Sequence, residues 1–290
     1  FVEPTSAGDG LRVQEVIEKG PFDRSTSHVR AGTVLRKIDG VAITPAQDYA
    51  ELLNRKADKP VLFTFFDPKG DSTWEETVRP ISRDAENELL YQRWVKTRRL
   101  EVDSLSHGHI GYVHVRSMGD DSYRHTYSEL LGRMYDKDAV IVDTRFNGGG
   151  WLHDDLATLL SGKEYVRFYP RHQDLGYEPQ GKWAKPSVLL VSESNYSDAH
   201  FFPWTYKTLG IGKIVGMPVP GTATAVWWET LQDPSPYFGI PQVGMLDMNG
   251  HYLENQQLEP DVLVNNDPAS VAEGRDLQLE KAVEVLMSGK

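Results

Sequence analysis

The sequence predicts a two-part α/β chain: a small β-rich module at the N-terminus, then a larger core on a largely parallel sheet. Three observations predict it. Short apolar runs broken by Gly, Pro and Asp turns fill the first part, with a single helical stretch among them. From residue 109 onward, strand-like and helix-like segments alternate. Two of those strands, Ala139–Asp143 and Val188–Val191, are apolar almost throughout, as in a sheet covered on both faces. The expected division is 1–82 for the module and 83–290 for the core, with 83–108 as connecting helix and loop.

In the module, Leu11, Val13 and Val16-Ile17 form a strand-like run after Gly8-Asp9-Gly10, and Lys19-Gly20-Pro21-Phe22 reads as a turn. Ala31 to Ile43 reads as strand, Asp39-Gly40 turn, strand. Gln47 to Arg55 places Tyr49, Leu52 and Leu53 on one helical face. Val61–Phe66 and Trp74–Val78 make another hairpin about Asp67-Pro68-Lys69-Gly70. Gly32-Thr33-Val34-Leu35-Arg36-Lys37-Ile38-Asp39-Gly40 resembles the strand pair of PDZ domains of the bacterial protease type. That resemblance implies binding of extended peptides at a sheet edge. The alternative is a spacer without a ligand.

Arg83 to Leu100 reads as an amphipathic helix carrying Leu89, Leu90, Trp94, Val95 and Leu100, and Asp103 to Gly108 as a loop. Lys96, Arg98 and Arg99 read as its solvated end. In the core, Ile110–Val115 alternates like a strand. Ser122–Tyr135 reads as a helix with Tyr127, Leu130, Leu131 and Met134 inward. Trp151–Leu160 is a further helix and Lys213–Gly216 a further strand. Another helix starts near Ser197, with Phe201, Phe202, Tyr206 and Leu209 at its spacing, and Asp276–Met287 closes the chain.

A net charge of -11 over 290 residues argues against a nucleic-acid binder, which needs a basic face, and against an anionic membrane surface. No apolar run approaches the roughly 20 residues that span a bilayer. With no cysteine, disulfides, thiolate metal sites and a Cys nucleophile are excluded. That composition suits any compartment, cytoplasmic or periplasmic. Phe1-Val2-Glu3-Pro4 is not a signal peptide, and the abrupt start suggests a piece of a longer protein.

Three loops of the core could carry chemistry. Asp143-Thr144-Arg145-Phe146-Asn147-Gly148-Gly149-Gly150 joins a strand to a helix, and its glycines allow close backbone approach and free N–H groups. No Gly-Lys-Ser/Thr follows, and the spacing is not a dinucleotide fingerprint. An oxyanion hole and a purely structural turn remain. The second loop leads Val188–Val191 through Ser192–Asn195 to Ser197. A strand handing over to a helix lifts one side chain to a pocket mouth, so Ser197 reads as a nucleophile and the Asp198 N–H as an oxyanion donor. On local sequence alone, a helix N-cap is the commoner use of such a serine. The third loop runs from Tyr252 to Val262, where a carboxylate could orient a base, though most surface Glu residues do not.

In order along the chain, these loops resemble those of the tail-specific, or C-terminal-processing, serine peptidases. Asp143–Gly150 resembles their D-x-R-x-N-G-G-G loop, Glu193–Ala199 their nucleophile turn, and Glu259-Pro260-Asp261-Val262 their last strand start. Arg93-Trp94-Val95, Ile110–Val115 with Met118-Gly119, and Leu209–Gly216 are similar to the tricorn branch. The resemblance covers nearly the whole chain. It implies a crotonase-like core, Ser197 as nucleophile, oxyanion donors at Asp198 and at Gly148 or Gly149, and Glu254 completing the catalytic set. It implies peptide or unfolded-protein substrates, no metal, no organic cofactor, and assembly into rings.

The base departs from the pattern. Tail-specific peptidases place a lysine about two dozen residues after the serine, where this chain has Gly221-Thr222-Ala223-Thr224-Ala225. Lys207 and Lys213 do not match that base. The tricorn branch uses a histidine before its PDZ domain, so the base is expected upstream of Phe1. His153, His200 and His251 are in-chain alternatives. Ala199, Met217–Ala223, Gln256-Gln257 and Pro203 also differ from the family pattern. The sequence therefore predicts a serine peptidase acting through an acyl-enzyme, inert as residues 1–290 alone. Its rival is a peptide-binding protein with a decayed core. A crotonase-type acyl-CoA enzyme is a third option, on fold analogy only.

Overall fold

The structure is a computed structural model that describes residues 1–5, 8–44 and 48–289. The chain divides into two compact units, Phe1–Lys96 and Thr97–Lys290.

The first unit holds a six-stranded antiparallel sheet. Its strands are β1 (Val2–Pro4), β2 (Leu11–Val13), β3 (Val34–Ile38), β4 (Val41–Ala42), β5 (Val61–Asp67) and β6 (Ser72–Val78). The order is β1-β2-β3-β5-β6, with β4 on β3. The Asp39-Gly40 turn forms as predicted, with φ of 48° and 79°, the left-handed pair a two-residue hairpin requires. The Asp39 carboxylate accepts the Leu62 N–H at 2.9 Å and the Lys56 ammonium at 2.8 Å, tying the turn to β5. Leu35, Ile38, Val61, Phe63, Phe65 and Val78 make the core, and Phe22 sets its ring edge-on to Phe63 and Phe65. The strand run ends at Val13, because Val16-Ile17 leads straight into the turn closed by Gly20 N–H on the Ile17 carbonyl. The predicted Gln47–Arg55 helix is a short 3-10 turn over Tyr49–Leu53; Gln47 lies outside the described residues. Arg55, at φ 60°, lies beyond its end.

Helix α1 (Arg83–Leu105) runs one turn past the predicted end, and the expected loop begins only after it, at His107 and Gly108 with positive φ. Leu100 is exposed; Val102 is the buried position. The cations at this end are not simply solvated. Lys96 pairs with Glu18, and Arg98 with Glu101 and Asp276.

The second unit is the α/β core. In chain order it contains β7 (Ile110–His114), α2 (Asp120–Ser128), β8 (Ala139–Asp143), α3 (His153–Leu160) and a ribbon of β9 (Val166–Arg167) with β10 (Tyr177–Glu178). Next come β11 (Ser187–Val191), α4 (Asp198–Thr208), β12 (Lys213–Gly216) and a ribbon of β13 (Thr224–Thr230) with β14 (Tyr237–Gly244). β15 (Val262–Leu263), α5 (Pro268–Ala272) and α6 (Leu277–Ser288) close it. The sheet is parallel throughout, in the order β15-β12-β11-β8-β7. β7, β8 and β11 are buried at every residue, so β7 does not alternate as expected. α2 widens into a π-helical turn over Glu129–Arg133, which keeps Leu130 and Met134 inward and leaves Tyr127 exposed, against the prediction. Trp151 precedes α3, and Leu209, at the end of α4, faces solvent. Both ribbons are absent from the sequence prediction.

Candidate active site

β8 and β11 are neighbours, with Asp143 opposite Leu190, so the two glycine- and serine-bearing loops leave the sheet side by side at its carboxyl end. That is where open α/β sheets bind ligands. The first loop is anchored from below. The Arg145 guanidinium is buried and bridges Asp143 at 2.7 Å and Asp276 at 2.8 Å. Desolvation alone would lower the Arg145 pKa; the two carboxylates outweigh it and raise it. Tyr112 donates its hydroxyl to Asp143 at 2.8 Å. Asn147 then fixes the glycines: its amide donates to the Val115 carbonyl at 2.8 Å, and its Oδ1 accepts the Gly149 N–H at 2.8 Å.

The second loop is built around Asn195, also buried. Its Oδ1 accepts the Ser192 N–H at 3.1 Å, and its Nδ2 donates to Thr144 Oγ1 at 3.1 Å and to the Ala199 carbonyl at 3.0 Å. The Tyr196 N–H donates to the Asn147 carbonyl at 3.0 Å, joining the two loops. Ser197 follows at φ 56°, ψ −124°, a conformation that costs a non-glycine residue of order 1–3 kcal/mol. Its N–H donates to Thr222 Oγ1 at 2.8 Å, while its hydroxyl caps nothing in α4. The Asp198 side chain does the tying instead. It accepts the Leu152 N–H at 2.5 Å, the His153 N–H at 3.1 Å and the His153 ring at Nδ1, 2.6 Å, and so caps α3 just after the glycines. Gly149 needs to be glycine on two counts. Its φ is 94°, and a Cβ there would lie 2.7 Å from both Ser197 Cβ and the Tyr196 carbonyl.

Gly148, Gly149, Ser197, Asp198 and Glu254 all line one cavity of about 620 Å³. Among the described residues no acceptor takes the N–H of Gly148 or of Asp198, whereas that of Gly149 is engaged by Asn147. Glu254 enters from the far loop and its Oε2 accepts the Ala223 N–H and the Thr224 hydroxyl, both at 2.8 Å. Val226, Trp228, Pro241 and Met245 are lining residues that the sequence reading does not identify. That reading takes Gly221–Ala225 for its lack of lysine and Met217–Ala223 as a departure from the family pattern, and does not reach residues 226–245.

The structure does not bring the in-chain bases to this cavity. His153 is held on Asp198, and His251 is exposed beside Asp247. His200 is buried and absent from the lining; burial depresses its pKa, partly offset by its bond to the Gln256 backbone. Lys207 donates to the Glu259 carbonyl, and Lys213 is exposed at the start of β12. Among the described residues, no group of three or more His, Asp or Glu is placed to hold a metal, and no helix is long and apolar enough to cross a membrane.

Residues 109–264 match peptidase family S41. Over 272 residues, 93% of this chain, the sequence is 26% identical to a tricorn protease of Thermoplasma volcanium, and it is 28% identical over 261 residues to tricorn protease homolog 1 of Streptomyces coelicolor. The chain spans about a quarter of the length of these relatives, 26% and 24% respectively. The crystal structure of the tricorn protease superposes on the whole chain with a TM-score of 0.83 at 23% identity, covering 28% of that protein.

Proposed function

The chain belongs to peptidase family S41, and from that premise we propose that it forms the nucleophile-bearing part of a serine peptidase acting on oligopeptides or unfolded chains. One observation carries the reading. Ser197 sits in a strained turn with an uncommitted hydroxyl, at a cavity, pressed against a glycine whose missing Cβ makes room for it. In this reading Ser197 Oγ attacks the scissile carbonyl carbon and gives its proton to a base. The N–H groups of Asp198 and Gly148 stabilise the oxyanion. The base then protonates the leaving amine, and water hydrolyses the acyl-enzyme. Gly149 serves by close approach rather than as a donor, since Asn147 holds its N–H. Glu254 orients the base from across the cavity.

Among the described residues the lining contains no His, Lys or Arg, which supports a proton acceptor from outside residues 1–290, from another segment or another chain. In the same reading the unit 1–96, whose stretch Gly32–Gly40 resembles the strand pair of PDZ domains, holds the peptide.

The test is cleavage of peptide substrates by the complete protein. Ser197→Ala should remove about 10⁴-fold or more of the rate with the fold intact by circular dichroism. Cleavage that survives the substitution removes the assignment, and brisk turnover by residues 1–290 alone removes the external base. The missing base also favours a second reading, a peptide-binding protein without catalysis. Labelling of Ser197 by a fluorophosphonate in the complete protein decides for the enzyme, and its absence under native conditions for the binder.

A further inference from the structure

The cavity beside Ser197 has a wall that the hydrolytic reading leaves unused. It comes from one face of the β13–β14 ribbon, where Val226 and Trp228 stand two residues apart and Pro241 lies opposite Val226. Trp228 is 58% exposed, yet its indole is held in place. It lies across Gly239, its cross-strand partner, so that a Cβ there would fall 3.1–3.4 Å from three of its ring atoms. The Tyr237 ring meets it edge-on at 5.2 Å. Trp151 and Phe201 add aromatic surface on the side of the glycine loop and α4.

The charges point the same way. The two ionisable carboxylates of the lining, Asp198 and Glu254, are engaged by internal donors, the His153 ring among them, and among the described residues no Lys or Arg lines the cavity. An acidic side chain entering here would meet like charge and no partner. An apolar one would exchange water for aromatic surface on three sides.

We propose that this cavity is a subsite for a large apolar or aromatic side chain next to the scissile bond, with Trp228 as its specificity-determining wall. The proposal rests on the cavity being the peptide site, and its test uses binding, so that it can fail separately from catalysis. Trp227 supplies the control. It is 56% exposed, but it turns to the other face of β13, donates its indole N–H to Glu229 at 2.6 Å, and does not line the cavity.

The complete protein carrying Ser197→Ala would be titrated calorimetrically with capped hexapeptides that differ at one central position: Phe, Leu, Lys or Glu. The Phe and Leu peptides should bind about tenfold or more tighter than the Glu peptide. In the Ser197→Ala background, adding Trp228→Ala should bring that ratio to within about threefold, and Gly239→Ala, which only displaces the indole, should give an intermediate ratio. Trp227→Ala should leave the ratio within about twofold of the parent. A preference for Lys, a ratio indifferent to Trp228 and Gly239, or no binding of any peptide overturns the subsite. Loss of Ser197-dependent cleavage with this binding pattern intact would instead remove only the catalytic reading.

Discussion

The loops at the carboxyl ends of β8 and β11 and the β13–β14 ribbon border the same cavity, and they are held by opposite means. The loops are fastened by buried polar side chains: Asp143, Arg145, Asn147, Asn195 and Asp198 each bond two or more groups, and none is more than 5% exposed. Neither strand of the ribbon has a buried residue; it is a ladder from Thr224–Gly244 to Thr230–Tyr237, with rings lying on both faces. A hole that stabilises developing charge needs donors fixed in advance, which a saturated buried network supplies. Side-chain recognition needs only surface, which an exposed ribbon can offer and vary at little cost to folding.

That contrast can be broken or sharpened by substitution. Asn195→Ala strands the Ser192 N–H and the Ala199 carbonyl inside the protein, and should cost about 2–3 kcal/mol in urea unfolding. A loss below about 0.5 kcal/mol would mean that the loops are not held as described. A smaller effect belongs to pH. His200 and His114 are buried, and desolvation lowers both pKa values below the ordinary 6.5, against weaker raising contributions from nearby acceptors. The unfolded chain therefore takes up protons first. Stability is level above about pH 6.5, falls as pH drops below it, and stops falling below the folded pKa. Urea midpoints across that range should flatten in His200→Gln; an unchanged slope would clear His200 of the effect. The smallest effect is expected on the ribbon, where Phe238→Ser should shift stability by about 0.5 kcal/mol or less. A larger loss would show that the ribbon contributes to folding after all.

The same contrast decided what could be read from the sequence. The central strands announce themselves because burial on both faces demands unbroken apolar runs, and Asp39-Gly40 because few residue pairs accept two positive φ values. The two site loops are legible because their polar side chains each have a fixed structural duty, so the letters follow a pattern. Residues 224–244 follow no such rule. Val226, Trp227 and Trp228 are consecutive, apolar and exposed, which erases the alternation that marks a strand with one buried face. Glu254 was legible only through its neighbours' resemblance, because what it meets, the Ala223 N–H and the Thr224 hydroxyl, is set by the path of that same ribbon. The Tyr127 error has a different origin: the π-helical turn alters the helical phase, and nothing in Glu129–Arg133 marks it.

Pro203 lies within α4 and lacks the N–H that would reach back to the Ala199 carbonyl. Asn195 Nδ2 reaches that carbonyl from outside the helix, at 3.0 Å. The vacancy thus acts as a keyhole. Turning α4 about its axis or sliding it along that axis would give up this bond, so an imino acid six residues downstream of Ser197 helps to hold the start of α4 in register with the loop before it.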